Sequence, residues 1–285
     1  MFLKGCPLQC KWCHNPEGIS PNPQLSVMPD KCIGCRACLD PCKEGALALN
    51  GLKKVVIDRP RCTGCGVCPP LCDPKALEMV GRNAAVEEVM AVVLRDREYY
   101  QASGGGITLS GGEPLFQPDF TMAMLEAAKG ERLHTVVETS GFAEWAVLEH
   151  ILPLVDLFLY DYKETDSHLH EAFTGQPNGP ILANLKKLHA AGGRILLRCP
   201  MIPEFNARKE HLDGIAGTAS DLPHLAGVEL LAYHRLGRGK LQRFGFSARM
   251  PESVKPPNVE TVRGWNAYLA KRGVKLVSGA AVGLE

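Results

Sequence analysis

Residues 107–141, ITLSGGEPLFQPDFTMAMLEAAKGERLHTVVETSG, contain a strand, a helix and a second strand, and this unit decides the fold. The apolar runs ITLS and HTVVETS predict strands, and residues 117–129 between them have the length and periodicity of a helix. Two strands joined through one helix form a parallel pair. The turn SGGEP follows the first strand and TSG follows the second, so glycine and polar residues gather at the strand ends.

The same alternation continues along the chain on both sides of this unit. The opening residues MFLKG predict a first strand. Further strands are expected at 155–163, 194–202, 227–234 and 274–277, and further helices at 84–100, 143–152, 180–191, 207–220 and 258–272. Six or seven such units predict an α/β protein with a full or partial (β/α) barrel. Reacting groups in such barrels lie at the carboxyl ends of the strands.

Three cysteines with the spacing CxxxCxxC follow the first predicted strand. Cys6, Cys10 and Cys13 can hold three corners of a metal centre, and no fourth cysteine lies nearby to complete it. Lys4 and Lys11 interrupt the only apolar stretch, so the segment is no secretory signal. Clustered cysteines in a cytoplasmic protein are more often metal ligands or catalysts than disulfides.

The composition argues against two classes of partner. The chain has 285 residues, a formal net charge of +1 and a pI near 7.5. It therefore lacks the basic excess of a nucleic-acid-binding protein, and no apolar run reaches the roughly 20 residues of a membrane helix. We expect neither nucleic acid nor a membrane as a partner.

A cysteine repeat separates the opening loop from the SGGEP unit. Residues 31–49 and 61–79 align at an offset of thirty, each with the spacing CxxCxxCxxxC: Cys32, Cys35, Cys38 and Cys42 align with Cys62, Cys65, Cys68 and Cys72. This is the ligand run of two-cluster ferredoxins, in which the fourth cysteine of each run binds the other run's cluster. Two four-cysteine zinc sites are the alternative. Neither run has the usual proline directly after its last cysteine. Residues 46–49 and 55–57 are expected to form short strands over the clusters.

In combination, KGCPLQCKWCHNPE, GGEP, DYKETD and YHRLGRGK resemble the radical S-adenosylmethionine (SAM) superfamily. With the cysteine repeat between the first two motifs, the chain resembles the activating enzymes of glycyl radical enzymes that carry extra clusters. The resemblance implies a partial radical SAM barrel with an inserted two-cluster ferredoxin-like domain. The expected divisions are 1–30 for the first strand and cysteine loop, 31–80 for the insert and 81–285 for the rest of the barrel.

The resemblance also implies the site. Cys6, Cys10 and Cys13 would hold a 4Fe-4S cluster with one open iron, to which the methionine half of SAM binds. Further SAM contacts are implied at Trp12, Gly111, Gly112, Glu113, Thr139, Ser140, Asp161, Tyr162, Lys163 and His234. Taken alone, Trp12 reads equally as a packing residue and His234 as a strand-end histidine whose hydrogen bonds are satisfied. Cys199 is expected to be a core residue without a role.

The implied activity is that of an oxidoreductase. Reductive cleavage of SAM would give a 5′-deoxyadenosyl radical, which removes a hydrogen from a glycine Cα of a partner glycyl radical enzyme. Three 4Fe-4S clusters, a flavodoxin or ferredoxin as electron donor, an anaerobic cytoplasmic setting and a monomer are expected. Family members carry residues before the cysteine loop, so we expect Met1 to stand inside a shortened first strand. A radical SAM peptide maturase, an iron–sulfur electron carrier and a zinc-stapled binding module are the alternatives.

Overall fold

A single parallel sheet organises the larger part of the molecule. The computed structural model describes residues 1–247 and 249–277. Six strands hydrogen-bond in the order β1-β6-β7-β8-β9-β10, and every pair is parallel. Their bounds are Phe2–Leu3 (β1), Gly106–Gly111 (β6), His134–Thr139 (β7), Leu157–Asp161 (β8), Ile195–Met201 (β9) and Gly227–Ala232 (β10). The partial barrel expected from the alternation of strands and helices is confirmed.

The described residues form nine helices, most of which pack on the outer face of this sheet. They are Val86–Val93 (α1), Arg97–Ser103 (α2), Pro118–Gly130 (α3), Trp145–Ile151 (α4), Ser167–Thr174 (α5), Gly179–Ala190 (α6), Lys209–Asp221 (α7), Arg238–Arg243 (α8) and Val259–Ala270 (α9). The core between helices and sheet includes Leu109, Val137, Phe158 and Leu197, none of which has exposed surface. Because side chains alternate along a strand, the neighbours Ser110, Glu138 and Arg198 point to the opposite side.

Several elements differ from the sequence-based prediction. The single helix expected over 84–100 is two helices, because one 3₁₀ turn at Leu94–Asp96 separates α1 from α2. The strand expected over 274–277 is only a bridge between Leu276 and Val228. Helices α5 and α8 were not predicted, because eight and six residues are too short to show a clear apolar period.

The insert between the cysteine loop and α1 has two small antiparallel sheets. Strand β2 (Gln24–Val27) pairs with β5 (Leu77–Val80), and β3 (Leu47–Leu49) pairs with β4 (Val55–Ile57). The short strands expected after the first cysteine run are therefore present. Since β2 pairs with β5, the insert's own sheet begins at Gln24, ahead of the expected division at residue 30.

Candidate functional site

A cavity of about 410 Å³ opens at the carboxyl ends of the parallel strands. Residues from β6, β7, β8, β9 and β10 contribute to its wall, together with the cysteine loop. Of the residues expected in the site, all but Tyr162 line it: Cys6, Cys10, Trp12, Cys13, Gly111, Gly112, Glu113, Thr139, Ser140, Asp161, Lys163 and His234. This is the end of the sheet at which reacting groups of such barrels are expected.

Backbone hydrogen bonds fix the cysteine loop at the rim. The amide of Cys6 donates to the carbonyl of Ile19 at 3.1 Å, and the amide of Cys13 donates to the carbonyl of Cys10 at 3.1 Å. The amide of Gln9 donates to the carbonyl of Thr174 at 2.6 Å, which ties the loop to α5. The loop is therefore held by hydrogen bonds to the segment that follows it and to α5, a helix that the sequence did not predict.

The chemistry of the three thiols fits a metal centre. Burial, and then the nearby Glu113 carboxylate, raises the pKa of Cys6 to about 12. Burial also raises the pKa of Cys10 to about 11. Such thiols are neutral at pH 7 unless positive charge stabilises the thiolate, which bound iron would do. Three soft donors on one enclosed loop suit an iron–sulfur cluster better than they suit a hard cation.

The GGEP turn packs directly under this loop. The amide of Gly112 donates to the carbonyl of Leu3 at 2.8 Å, and the amide of Glu113 donates to the carbonyl of Gly5 at 2.7 Å. A Cβ at residue 112 would lie 2.3 Å from the carbonyl oxygen of Gly5 and 2.4 Å from that of Gly18. Only glycine permits so close an approach of the turn to the cysteine loop.

The Glu113 carboxylate joins the turn to the end of β7. It accepts hydrogen bonds from the Thr139 hydroxyl at 2.7 Å, the Ser140 amide at 2.8 Å, the Ser140 hydroxyl at 2.6 Å and the Leu115 amide at 3.2 Å. Burial raises the pKa of Glu113, and the donors from Ser140 and Thr139 act in the opposite direction. Glu113 therefore connects the GGEP turn to the end of β7 through hydrogen bonds.

A buried ion pair stands at the end of β8. The Lys163 ammonium lies 2.6 Å from the Asp161 carboxylate. Burial disfavours the ammonium, but the Asp161 carboxylate outweighs burial and raises the pKa of Lys163. The Tyr162 side chain points away from the cavity, stacks on His211 with a centroid separation of 5.7 Å and hydrogen-bonds to Thr165 at 3.1 Å. Strand alternation puts residues 161 and 163 on one side and residue 162 on the other.

Aromatic residues also line the cavity. Trp12 is buried and meets Phe173 and Phe205 edge to face, at centroid separations of 5.9 and 6.4 Å. His234 stacks on His14 at 4.0 Å, and the His14 Nε2 lies 3.0 Å from the carbonyl oxygen of His234. Trp12 therefore packs and lines the cavity at once, while His234 keeps an exposed ring over the cysteine loop.

Sequence reasoning missed a polar network on the cavity floor. The Arg198 guanidinium lies 2.5 Å from the Glu138 carboxylate and 3.1 Å from that of Glu229. The Ser110 hydroxyl donates to Glu138 at 2.6 Å. Burial disfavours the charge on Arg198, but Glu138 outweighs it, so the pKa of Arg198 is raised. A charged residue inside each of the apolar strands β7 and β9 was the signal that could have identified them.

The eight cysteines of the insert form two groups. Cys32, Cys35, Cys38 and Cys72 line one hollow, and we call them the first thiol set. Cys42, Cys62, Cys65 and Cys68 line another and form the second thiol set. Each run thus contributes its last cysteine to the other run's hollow, which is the crossed arrangement that the repeat predicts.

Backbone amides already point at several of these sulfurs. The Val55 amide donates to Cys32 Sγ at 3.3 Å, and the Ala76 amide donates to Cys72 Sγ at 3.2 Å. Amide donors stabilise negative charge on cluster thiolates. Within residues 1–247 and 249–277, no three His, Cys, Asp or Glu side chains converge to hold a single metal ion. A cubane instead binds each thiolate to a different iron, so its ligands need not converge on one point.

The comparisons with known proteins agree with this geometry. A parallel half-barrel with a cysteine loop at its rim defines a radical SAM enzyme, and the model of the Radical SAM superfamily matches residues 60–213. The model of the 4Fe-4S dicluster domain matches residues 31–87, which contain both thiol sets.

Among the described residues, none of the helices has both the length and the apolar content to cross a bilayer.

Two named relatives indicate to which group of radical SAM enzymes the chain is similar. The chain is 38% identical to the benzylsuccinate synthase activating enzyme of Thauera aromatica, over all of this chain and 88% of that protein. It is also 38% identical to the isethionate sulfite-lyase activating enzyme of Nitratidesulfovibrio vulgaris, over 95% of this chain and 89% of that protein. The chain belongs to the radical SAM activating enzymes of glycyl radical enzymes.

A solved structure supports the same placement. A domain of the pyruvate-formate lyase-activating enzyme from Bacteroides vulgatus superimposes with a TM-score of 0.52 at 28% identity. The alignment covers 62% of this chain and 99% of the solved domain. Membership of the family brings with it a 4Fe-4S cluster and SAM, and the dicluster match indicates further iron–sulfur binding.

Proposed function

We propose that this chain activates a glycyl radical enzyme by removing one hydrogen atom from a glycine Cα of that partner. The observation that carries the proposal is the single cavity shared by the cysteine loop, the GGEP turn and the Asp161–Lys163 pair. Relatives named as activators of benzylsuccinate synthase and isethionate sulfite-lyase match over nearly the whole chain. The proposed products are methionine, 5′-deoxyadenosine and the activated partner.

In this proposal Cys6, Cys10 and Cys13 would hold a 4Fe-4S cluster and leave one iron open for SAM. When bound, the cluster supplies the electron that cleaves SAM to methionine and a 5′-deoxyadenosyl radical. Gly111 and Gly112 offer backbone groups to the methionine amine, because glycine leaves the backbone open to close approach. The Asp161–Lys163 pair provides fixed charge beside the thiols and holds the charged ends of SAM.

Other cavity residues orient the nucleoside and exclude water. Trp12 covers the adenine side, and His234 stands at the ribose end. Glu113 sets the positions of Thr139 and Ser140, whose backbone and hydroxyl groups are directed by its carboxylate. Enclosure matters because a primary carbon radical reacts with whatever C–H bond is nearest, so the walls must hold the partner's glycine closest.

The insert holds the remaining clusters in this proposal. The first and second thiol sets bind one 4Fe-4S cluster each, which gives three clusters in the whole protein. Electrons come from a flavodoxin or ferredoxin. We propose that the protein works as a monomer in an anaerobic cytoplasm, with a cysteine-loop unit, an insert and a barrel as its three parts.

Cysteine variants test the proposal. The protein is reconstituted anaerobically with iron and sulfide, reduced with dithionite, and mixed with SAM and each of benzylsuccinate synthase and isethionate sulfite-lyase. We expect 5′-deoxyadenosine by chromatography and, with a compatible partner, the electron spin resonance doublet of a glycyl radical. Changing Cys6, Cys10 and Cys13 to Ala should abolish both signals and remove one cluster's share of iron.

Cys199→Ala is the matched control, because Cys199 is buried in the core and belongs to none of the three thiol groups. It should retain the full iron content and the full yield of 5′-deoxyadenosine. Wild-type protein that binds iron but releases no 5′-deoxyadenosine would contradict the proposal and favour an electron carrier. Zinc without sulfide in the purified protein would instead favour a binding module whose fold is stabilised by zinc.

A further inference from the structure

The insert exposes apolar side chains over the first thiol set. Ile33, Leu52 and Leu71 have 72%, 80% and 45% of their surface exposed. Ile33 and Leu71 line the hollow of the first thiol set. Leu52 lies in the β3–β4 turn beside Lys53, whose carbonyl oxygen is 2.6 Å from a Cβ built on Gly34. These side chains and the exposed Cys35 therefore share one surface over the first thiol set.

Basic residues surround this face. The three segments that form it, 30–36, 50–54 and 69–75, contain five basic and two acidic residues, a net charge of +3: Lys31, Arg36, Lys53, Lys54 and Lys75 against Asp30 and Asp73. Arg36, Lys53 and Lys75 are exposed. Lys54 is partly engaged, because its ammonium donates to the carbonyl of Cys32 at 2.5 Å.

The surface over the second thiol set has a different charge. Segments 40–45 and 58–67 contain three basic and three acidic residues, a net charge of zero: Lys43, Arg59 and Arg61 against Asp40, Glu44 and Asp58. The Arg59 guanidinium bonds within the protein, because it donates to the carbonyl of Leu25 and, at 2.8 Å, to that of Arg243. The excess of positive charge thus lies over the first thiol set alone.

The second thiol set lies on the barrel side of the insert. Arg59, whose carbonyl accepts from the Cys62 amide at 3.3 Å, donates to the carbonyl of Arg243 at the end of α8. A Cβ on Gly64 would lie 2.8 Å from the carbonyl oxygen of Pro23, in the connection that leads from the cysteine loop. The second thiol set therefore lies between the first thiol set and the cavity, on the path of electrons that enter at the first set.

From this geometry we propose that the face over the first thiol set, formed by Ile33, Leu52 and Leu71 and ringed by Lys31, Arg36 and Lys53, docks an acidic one-electron carrier protein. The proposal rests on the proposed function, which requires such a donor. An apolar centre with a charged rim is the usual anatomy of a transient interface, and the rim charges set the association rate. The carrier gives up one electron to the cluster held by the first thiol set, with no bond or proton change.

Two matched double charge reversals test the docking face. Arg36→Glu with Lys53→Glu reverses two charges at the proposed face, and Lys43→Glu with Arg61→Glu reverses two over the second thiol set. Arg36 and Lys53 have positive φ angles of 70° and 54°, and glutamate replaces one non-glycine residue with another there. Equal iron content and equal cluster absorption in both variants establish that the insert remains folded.

Binding is measured by titration calorimetry with an acidic bacterial flavodoxin and, separately, an acidic ferredoxin, at low and at physiological salt. Arg36→Glu with Lys53→Glu should weaken binding roughly tenfold at low salt and flatten its salt dependence. Lys43→Glu with Arg61→Glu should change the affinity less than twofold. A larger loss in the second variant, equal losses in both, or no binding of either carrier to the wild type would overturn the proposal.

Dithionite separates this test from the proposed function. The Arg36→Glu, Lys53→Glu variant should form 5′-deoxyadenosine at the wild-type rate with dithionite but more slowly with reduced flavodoxin. Loss of the dithionite-driven reaction in the wild type would count against the proposed function and leave the calorimetric result standing. A normal flavodoxin-driven rate in this variant would refute the docking face.

Discussion

Replacing Glu113 with glutamine should destabilise the protein although the two side chains have nearly the same shape. Glu113 is 1% exposed and its two oxygens accept four hydrogen bonds. Oε1 accepts from the Thr139 hydroxyl and the Leu115 amide, and Oε2 accepts from the Ser140 hydroxyl and amide. A glutamine side chain has an NH₂ group in place of one of these oxygens. The two donors that bonded to that oxygen would then face another donor.

The magnitude follows from that count. A hydroxyl can rotate and accept from the NH₂ group, but a backbone amide cannot, so either Leu115 N–H or Ser140 N–H loses its acceptor. A buried unsatisfied donor costs about 1–3 kcal/mol. Removal of a buried charge offsets part of this cost, since burial alone raises the pKa of Glu113. We expect a net loss of about 1–2 kcal/mol in the free energy of unfolding.

Anaerobic chemical denaturation of the reconstituted protein, followed by circular dichroism, measures this difference. Glu126→Gln on the exposed side of α3 is the matched control and should change the free energy by less than about 0.5 kcal/mol. Because Ser140 lines the cavity, Glu113→Gln should also weaken SAM binding at constant iron content. Unchanged or increased stability in Glu113→Gln would refute the reasoning from donor count.

Three further substitutions test the packing of glycines and the titration of a buried histidine. Gly141 has a φ of +73° and a Cβ there would lie 1.7 Å from the Tyr160 hydroxyl, so Gly141→Ala should cost about 1–3 kcal/mol in thermal unfolding. Gly130→Ala, at an open position in α3, should instead stabilise by about 0.5–1 kcal/mol. Burial lowers the pKa of His211 to about 4, and its Nδ1 accepts from the Thr165 amide. The unfolded state therefore binds more protons at His211 between pH 6.5 and 4, so this group should lower the stability by up to about 3 kcal/mol as the pH drops through that range. His211→Gln should reduce the measured slope by this share, whereas His14 and His170, whose pKa values burial also lowers, should maintain part of it.

The sequence predicted those features that depend on local spacing. The crossed thiol sets follow from two identical cysteine runs, because a run that wraps one cubane leaves its last cysteine directed elsewhere. The six parallel strands follow from apolar runs separated by helix-length segments. Tyr162 is implied as a SAM contact because it lies between Asp161 and Lys163 in the sequence, whereas its side chain stacks on His211, outside the cavity that these two residues line.

Features that depend on which strands become neighbours were not predictable from one sequence. Arg198 on β9 reaches Glu138 on β7 and Glu229 on β10, which are 60 and 31 residues away along the chain. Helix α8 has only Leu241 buried, so no apolar period marks it. Its position is set by contacts of Lys240 and Arg243 with residues more than 160 positions distant.

Helix α8 is the element that fixes the insert against the cysteine loop. Near its C-terminus, Arg243 donates to the Ser26 hydroxyl at 3.0 Å and lies 2.8 Å from the Glu78 carboxylate, so it contacts both β2 and β5. One turn earlier, Lys240 lies 2.6 Å from Glu17, which directly follows the loop. One short helix thus contacts the insert's sheet and the segment that supports Cys6 and Cys13.

The pairing of β2 with β5 explains why the barrel accommodates so large an insertion. Gln24 and Val80 are partners in that sheet, so the insert leaves and rejoins the barrel at nearly the same point. An insertion with adjacent ends adds a closure cost that grows only with the logarithm of its length. Lys4, two residues before Cys6, lies 3.5 Å from Gln24 Oε1 and packs against Gly81. Both ends of the insert therefore meet the strand that delivers the cysteine loop, and a substitution at Lys4 should perturb the loop and the insert together.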